Sequence, residues 1–208
     1  LKKNGIYPSA VAGHSLGEYS ALVSAEILSY EDTLKIIKVR SEQMHIAGKK
    51  QPGGMAAIIG ATNQQIKELC NHKETVVPAN YNSETQIVIS GSVKGIEKAI
   101  KKAKTIGIKK AIKLDVSGAF HSPLMQYARK KLEIVIKKSN FKSSKIPIYQ
   151  NIDSIPNLDS NTIKSNLIKQ LENPVQWYKT ILNMNKNNLN YFIEVGPGRV
   201  LCNLNKKN

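Results

Sequence analysis

Two hydrophobic rhythms alternate along the chain: short apolar runs, and longer stripes that recur every three or four positions. Their order predicts an α/β fold. Ala10-Val11-Ala12 reads as a short strand, and a helical pattern begins at Leu16. Ser29 is placed to cap a second helix, with Asp32 three residues on, and the stripe Leu34, Ile36, Ile37, Met44 carries that helix from Tyr30 to Ile46. The rhythm then changes over residues 53–117. A strand at Gly54–Gly60 is followed by a helix at Asn63–Asn71, with Ile66 and Leu69 on one face. Strands at Val76–Asn80 and Gln86–Ser90 are joined through Tyr81–Thr85. A helix from Gly95 to Ile106 ends at Gly107, and an alternating strand runs from Lys110 to Val116. That βαββαβ order predicts an inserted ferredoxin-like subdomain. Beyond it, Ser122 and Pro123 are suited to the N-cap and first turn of a helix reaching Lys138, with Leu124, Ala128, Leu132 and Val135 facing inward. Ile146–Gln150 reads as a strand and Asp153–Asn161 as a polar loop. Helices follow near Ile163–Glu172 and from Trp177 to Asn185. Tyr191–Val195 reads as a buried strand, stopped by Gly196-Pro197-Gly198. Strands alternating with helices on both sides of the insert predict a mainly parallel, hydrolase-like sheet flanked by helices. The expected division is a large α/β domain (1–48 and 119–208) and a small subdomain (49–118).

The pattern gives one pentad chemical meaning. Gly13-His14-Ser15-Leu16-Gly17 is a G-x-S-x-G motif between a predicted strand and a predicted helix. A sharp turn there needs small residues two positions either side of the Ser. It exposes Ser15 Oγ as a nucleophile and leaves the Leu16 N–H free for an oxyanion. His121, on a slim loop after Gly118-Ala119-Phe120, is the natural base. The carboxylate that hydrolase-like folds place between Ser and His is not evident, because Glu97 and Asp115 fall inside the insert. A Ser15–His121 dyad with a neutral orienting group is therefore expected. The positive end of the following helix is expected to depress the His121 pKa. Arg40 lies on the inward stripe of the second helix. Either its stem snorkels along the surface or its head needs a buried anion. His14 reads as packing at the turn, Asn80 and Asn82 as polar pocket or hairpin residues, and Arg199 and Cys202 as structural.

Composition narrows the classes. The chain has 208 residues and a formal charge of +16, nearly all from Lys. The lysines spread over predicted helix faces without interleaved aromatics, which argues against nucleic-acid binding. Two cysteines make no disulfide framework, and four scattered histidines give no ligand spacing, so no metal or other cofactor is expected. No apolar run spans a bilayer, and no signal-peptide pattern opens the chain. Only three arginines occur, Arg40, Arg129 and Arg199, and each invites the question of why Lys would not serve.

Five ordered stretches resemble the malonyl-CoA:acyl carrier protein transacylases of fatty-acid synthesis. They are Gly13–Tyr19, Val39-Arg40-Ser41, Gly118–Met125, Asn173-Pro174-Val175-Gln176-Trp177 and Glu194-Val195-Gly196-Pro197-Gly198. The resemblance spans essentially the whole chain. It implies ping-pong acyl transfer through a malonyl-Ser15 ester, with His121 as base and Leu16 N–H as an oxyanion donor. It further implies a backbone carbonyl at Gln170 orienting His121, and Arg40 clamping the malonyl carboxylate. Phe120 would be a bulky selector against branched acyl groups. The implied partners are malonyl-CoA and an acidic acyl carrier protein, with the enzyme acting as a monomer. A serine hydrolase or a non-catalytic carrier-protein docking domain are the rival readings. The family's leading strand and Gly-Gln-Gly loop are not in the chain, so a missing N-terminal strand region, an exposed sheet edge and a missing oxyanion donor are expected. The Lys/Asn bias leaves the compartment open: a plastid-like organelle or mitochondrion in a eukaryote, otherwise the cytoplasm.

Overall fold

A computed structural model describes residues 2–206 of the chain. Strand β1 (Val11–Ala12) runs into a tight turn at Gly13 and emerges as helix α1 (Leu16–Ser24). Helix α2 (Tyr30–Lys50) starts where Ser29 accepts a hydrogen bond from the Asp32 N–H. It continues a turn beyond the predicted end because Ala47 and Gly48 extend its buried stripe. Gly48 also serves the site. A Cβ there would lie 2.4 Å from the Ser117 carbonyl oxygen, so only glycine lets the segment leading to His121 cross α2 this closely.

A four-stranded unit follows, built from β2 (Gly53–Ile59), α3 (Asn63–Cys70), β3 (Val76–Ser83), β4 (Gln86–Ser92), α4 (Val93–Thr105) and β5 (Lys110–Lys113). Its strand order is β3-β4-β2-β5 and every pairing is antiparallel. A cluster including Ile58, Ile66, Leu69, Ile89, Ile96 and Ala103 fills the space beneath its two helices. Strand β3 runs three residues further than predicted, and Tyr81 N–H donates to Val175 O at 2.8 Å. This seam ties the unit to the rest of the chain.

The remaining elements are α5 (Gln126–Lys138), β6 (Ile148–Tyr149), β7 (Pro156–Asn157), α6 (Ser160–Lys169), α7 (Trp177–Lys186) and α8 (Val200–Asn205). Helices α1, α2, α5 and α6 enclose a core that includes Tyr19, Leu22, Ile36, Leu132 and Leu167. The second sheet has the order β1-β6-β7, parallel between β1 and β6 and antiparallel between β6 and β7, so β1 is an edge strand. Three expectations need correction. The predicted polar loop at 153–161 contains β7 and the start of α6. Helix α8 was not anticipated. The predicted buried strand Tyr191–Val195 is neither strand nor buried: Tyr191 is 99% and Val195 77% exposed. Its apolar pattern suits a strand, but among the described residues no strand pairs with it, and an unpaired strand has no ladder to hold it.

The turn's two glycines are not equivalent. A Cβ on Gly13 would meet Gly17 backbone atoms at 2.0 Å, whereas a Cβ on Gly17 meets nothing within 4 Å. Gly13→Ala should therefore destabilise the fold by about 3 kcal/mol, while Gly17→Ala changes little. Urea unfolding of the two variants checks this, and equal effects would refute it.

Candidate active site

The turn after β1 holds Ser15 at φ 51° and ψ −101°, a left-handed-side conformation unusual for a residue other than glycine. Ser15 stands at the N-cap of α1 but caps nothing; its side chain is left for other contacts. The loop after Gly48's crossing point likewise holds His121 at φ 56°. There Ser122 Oγ donates to Ala119 O at 2.6 Å and accepts from the Leu124 N–H. Two strained residues 106 positions apart in the sequence thus meet, with Ser15 Oγ 2.8 Å from His121 Nε2.

The direction of that hydrogen bond follows from the other ring nitrogen. His121 Nδ1 lies 3.0 Å from Gln170 O and 3.1 Å from Asn173 O. Carbonyls only accept, so Nδ1 carries the proton and Nε2 accepts from the Ser15 hydroxyl. Among the described residues no carboxylate takes part. Burial, chiefly, pushes the His121 pKa down to about 4, against the upward pull of the Gln170 carbonyl, and the Arg40 charge adds to the depression. The direction matches expectation. The cause is burial and not a helix terminus, since a short 3-10 turn at Pro123–Met125 separates His121 from α5.

Arg40 is buried, at 7% exposure, and its Nη2 donates to Ser15 Oγ at 2.8 Å. Its guanidinium carbon sits 5.5 Å from the centre of the Tyr19 ring. Its Nε has no partner, and among the described residues no carboxylate pairs with it. The open alternative between snorkelling and a buried head therefore closes on burial. The Leu16 N–H makes no hydrogen bond among the described residues, and Leu16 is half exposed beside Ser15. Phe120 packs between the main core and the Met55–Val88 cluster.

Three residues here, Asn151, Glu18 and Asn173, were given no role from sequence, and Gln170, expected only to orient His121, makes a second contact. Gln170 acts through both ends: its backbone carbonyl faces His121 and its side-chain amide donates to Ser15 O at 3.1 Å. Asn173 adds the second carbonyl on His121. Asn151 contacts both Ser15 and Gly13 through its side chain, and Glu18 receives the Asn151 N–H at 2.7 Å. Glu18 offered a faint signal as an acid in the first turn of an otherwise apolar helix. For Asn151 there was none, since a polar residue after a strand is ordinary.

Burial raises the Glu18 pKa to about 7, against the downward pull of its hydrogen bond from Asn151. A carboxyl raised on folding contributes stability that is fully present below its ordinary value near 4.5 and lost as pH rises through about 7. The loss amounts to roughly 3 kcal/mol. The melting temperature of Glu18→Gln relative to the unaltered chain should therefore rise between pH 5 and pH 8. A difference independent of pH would contradict it.

A cleft of about 310 Å³ opens beside the turn, lined by His14, Gly17, Asn82, Val200, Leu201 and Leu204. His14 Nε2 lies 2.9 Å from Asn82 Oδ1 and its ring packs on Trp177. Asn80 forms part of the seam with Val175. Arg199 precedes α8, whose first turn is held by Glu194 accepting from the Leu201 and Cys202 N–H groups. A larger hollow of about 460 Å³ between α5 and α6 has mixed Lys and Glu walls and contains none of Ser15, His121 or Arg40. Among the described residues there is no cluster suited to a metal ion, and no helix is long and apolar enough to cross a membrane.

Such a pairing of strained Ser and neutral His beside a buried, unpaired guanidinium suits acyl transfer, and comparison with known proteins decides the family. Residues 1–207 match the family model described as "Acyl transferase domain". The chain belongs to the acyl transferase domain family. Within the family it is similar to the malonyl CoA-acyl carrier protein transacylase of Bacillus subtilis (strain 168), 41% identical over 211 residues, covering all of this chain and 67% of that protein. It is also similar to the enzyme of that name from Staphylococcus aureus (strain MSSA476), 38% identical over 204 residues, covering 96% of this chain and 66% of that protein. The chain thus spans about two thirds of the length of these curated relatives. A solved malonyl-transacylase, in complex with its type II PKS acyl-carrier protein, superposes with a TM-score of 0.93, at 36% identity, over 99% of this chain and 68% of that one.

Proposed function

We propose that this chain carries the acyl-transfer site of a malonyl-CoA:acyl carrier protein transacylase, an acyltransferase that supplies fatty-acid synthesis. Ser15 Oγ attacks the thioester carbonyl carbon of malonyl-CoA while its proton passes to His121 Nε2. The negative charge on the carbonyl oxygen is met by the Leu16 N–H. The C–S bond breaks, the thiol leaves with the proton from His121, and a malonyl-Ser15 ester remains. The phosphopantetheine thiol of an acyl carrier protein then gives its proton to His121 and its sulfur attacks the ester carbonyl carbon; the C–O bond to Ser15 breaks, His121 returns the proton to Ser15 Oγ, and the malonyl group leaves as the carrier protein's thioester. The Gln170 carbonyl, with that of Asn173, keeps the imidazole in the reacting tautomer. Arg40 turns its fork to the malonyl carboxylate, Phe120 narrows the acyl pocket, and the reaction needs no metal or other cofactor.

The observation that carries this reading is the buried Arg40 guanidinium, with no carboxylate partner among the described residues, 2.8 Å from Ser15 Oγ. A buried charge without a counterion is costly, so the site is built for an acyl group that brings its own anion. The formal charge of +16 complements an acidic carrier protein. We further read the large part, 1–48 and 119–208, as a hydrolase-like α/β domain. The four-stranded unit, 49–118, we read as a ferredoxin-like subdomain, and the protein as a monomer. Intact-mass analysis after incubation with malonyl-CoA tests the proposal. A single malonyl adduct absent from Ser15→Ala, and discharged by carrier protein, is expected. Free malonate without transfer would identify a hydrolase, and no adduct would leave only a docking domain.

A further inference from the structure

The parallel ladder between β1 and β6 stops abruptly at the nucleophile. Val11 pairs with Ile148 and Ala12 with Tyr149, with the Val11 N–H donating to Pro147 O at 2.9 Å. Were that register continued, the Asn151 N–H would donate to Gly13 O, and Asn151 O would accept from the Ser15 N–H. Neither backbone bond forms. Instead Asn151 Nδ2 donates to Gly13 O at 2.6 Å and Asn151 Oδ1 accepts from the Ser15 N–H at 2.7 Å. The side-chain amide repeats, one side chain's length away, the donor and acceptor that the backbone would have offered. The released backbone groups are not wasted: the Asn151 N–H donates to Glu18 Oε2 at 2.7 Å, and Asn151 O accepts from the Gln176 N–H at 2.8 Å.

We propose that Asn151 is a positioning residue for the nucleophile, its side-chain amide standing in for the interrupted strand ladder and holding Ser15 in its positive-φ conformation with Oγ on His121. A primary amide offers one acceptor and one donor side by side in this arrangement, whereas an ionised carboxylate offers acceptors alone. The amide is itself fixed. Asn151 is 2% exposed, and Glu18 is held at its other oxygen by Gln150 Nε2, whose own carbonyl accepts from Asn166 Nδ2. Nucleophile, β6 and α6 are thereby joined through buried polar contacts with little freedom to shift. Misplacing a reacting group by an ångström is enough to cost ~10²-fold in rate.

This inference rests on Ser15 being the activated nucleophile of the proposed function but not on the acyl group being malonyl. A fluorophosphonate probe, which forms a P–O bond to Ser15 as fluoride leaves, therefore separates the two. In the full chain, Asn151→Leu and Asn151→Asp are compared with the unaltered chain and with Ser15→Ala. Leu keeps the branched shape and removes both bonds. Asp keeps the acceptor for the Ser15 N–H but turns an acceptor towards Gly13 O. Asn151→Leu is expected to lower the maximal labelling rate by ~30–100-fold. Asn151→Asp should lower it less, and the probe concentration at half-maximal rate should stay within threefold in both. A purely structural role would lower the amount of labelled protein without altering the rate of the folded fraction. Labelling of both variants within threefold of the unaltered rate overturns the proposal. If the Leu variant does not fold, the isosteric Asp variant decides by the same criterion. An unaltered chain that labels with the probe but accepts no malonyl group overturns the substrate reading alone. One that fails to label overturns both.

Discussion

His121→Ala is expected to slow acylation of Ser15 by ~10⁴-fold, with little change in affinity for the thioester. Among the described residues the imidazole is the only base in contact with Ser15 Oγ, at 2.8 Å, and it must take the proton twice per turnover. A pre-steady-state measurement of malonyl-enzyme formation gives the rate. A loss smaller than tenfold would mean that the proton goes elsewhere. The unaltered protein makes a companion forecast. Because burial holds the His121 pKa at about 4, the imidazole is already neutral at pH 6, where a free histidine would be largely protonated. A depressed pKa leaves the neutral base present above the ordinary value and lost only as pH falls through about 4. The acid limb of acylation should therefore fall near pH 4, and a limb at pH 6.5 would mean the ring is solvated in the working enzyme. Gln170→Ala supplies a graded control. It keeps the carbonyl on His121 but removes the side-chain donor to Ser15 O, so its loss should be real and well below that of His121→Ala.

What could be read from the sequence, and what could not, follows from the range over which each interaction acts. Ser15 was legible because strand, glycine and helix are contiguous in the chain, so the turn is a local event. Arg40 was legible because helical periodicity alone places it on an inward stripe, although periodicity could not say what its head would meet. The four-stranded unit was legible because each of its elements begins and ends on its own signals. Tyr191–Val195 shows the opposite limit. Its apolar run is that of a buried strand, but a strand exists only beside a partner, and none of the described residues supplies one. Asn151 was beyond reach for the same reason in reverse. Its amide matters only because β6 lies beside β1, and the bond to Gly13 O joins positions 138 residues apart. The pKa of His121 illustrates a right direction with a different cause. A helix terminus can be guessed from sequence, whereas burial of the ring depends on how Gln170, Asn173 and Arg40 close around it.

Arg40→Ala is expected to lower malonyl transfer by ~10³–10⁴-fold while sparing or raising transfer of an acetyl group. The guanidinium is a planar fork, buried at 7% exposure, with a free Nε and, among the described residues, no carboxylate beside it. Malonyl completes the pair on entering, whereas acetyl leaves the charge buried and alone. The same substitution removes the Nη2 hydrogen bond to Ser15 Oγ, a bond that binds the hydroxyl in the resting site and must break when the fork turns to substrate. Acetyl transfer therefore gains from its removal in a way malonyl transfer cannot. Arg40→Lys separates charge from geometry: an ammonium restores the sign but not the two parallel hydrogen bonds, and it should recover only part of the malonyl rate. A second readout is independent of the acyl group. The Arg40 charge helps to hold the His121 pKa down, so Arg40→Ala should move the acid limb of acetyl transfer to higher pH, and Arg40→Lys should not. Equal losses for malonyl and acetyl, with an unmoved acid limb, would show that Arg40 only supports the fold around Tyr19 and does not select the substrate.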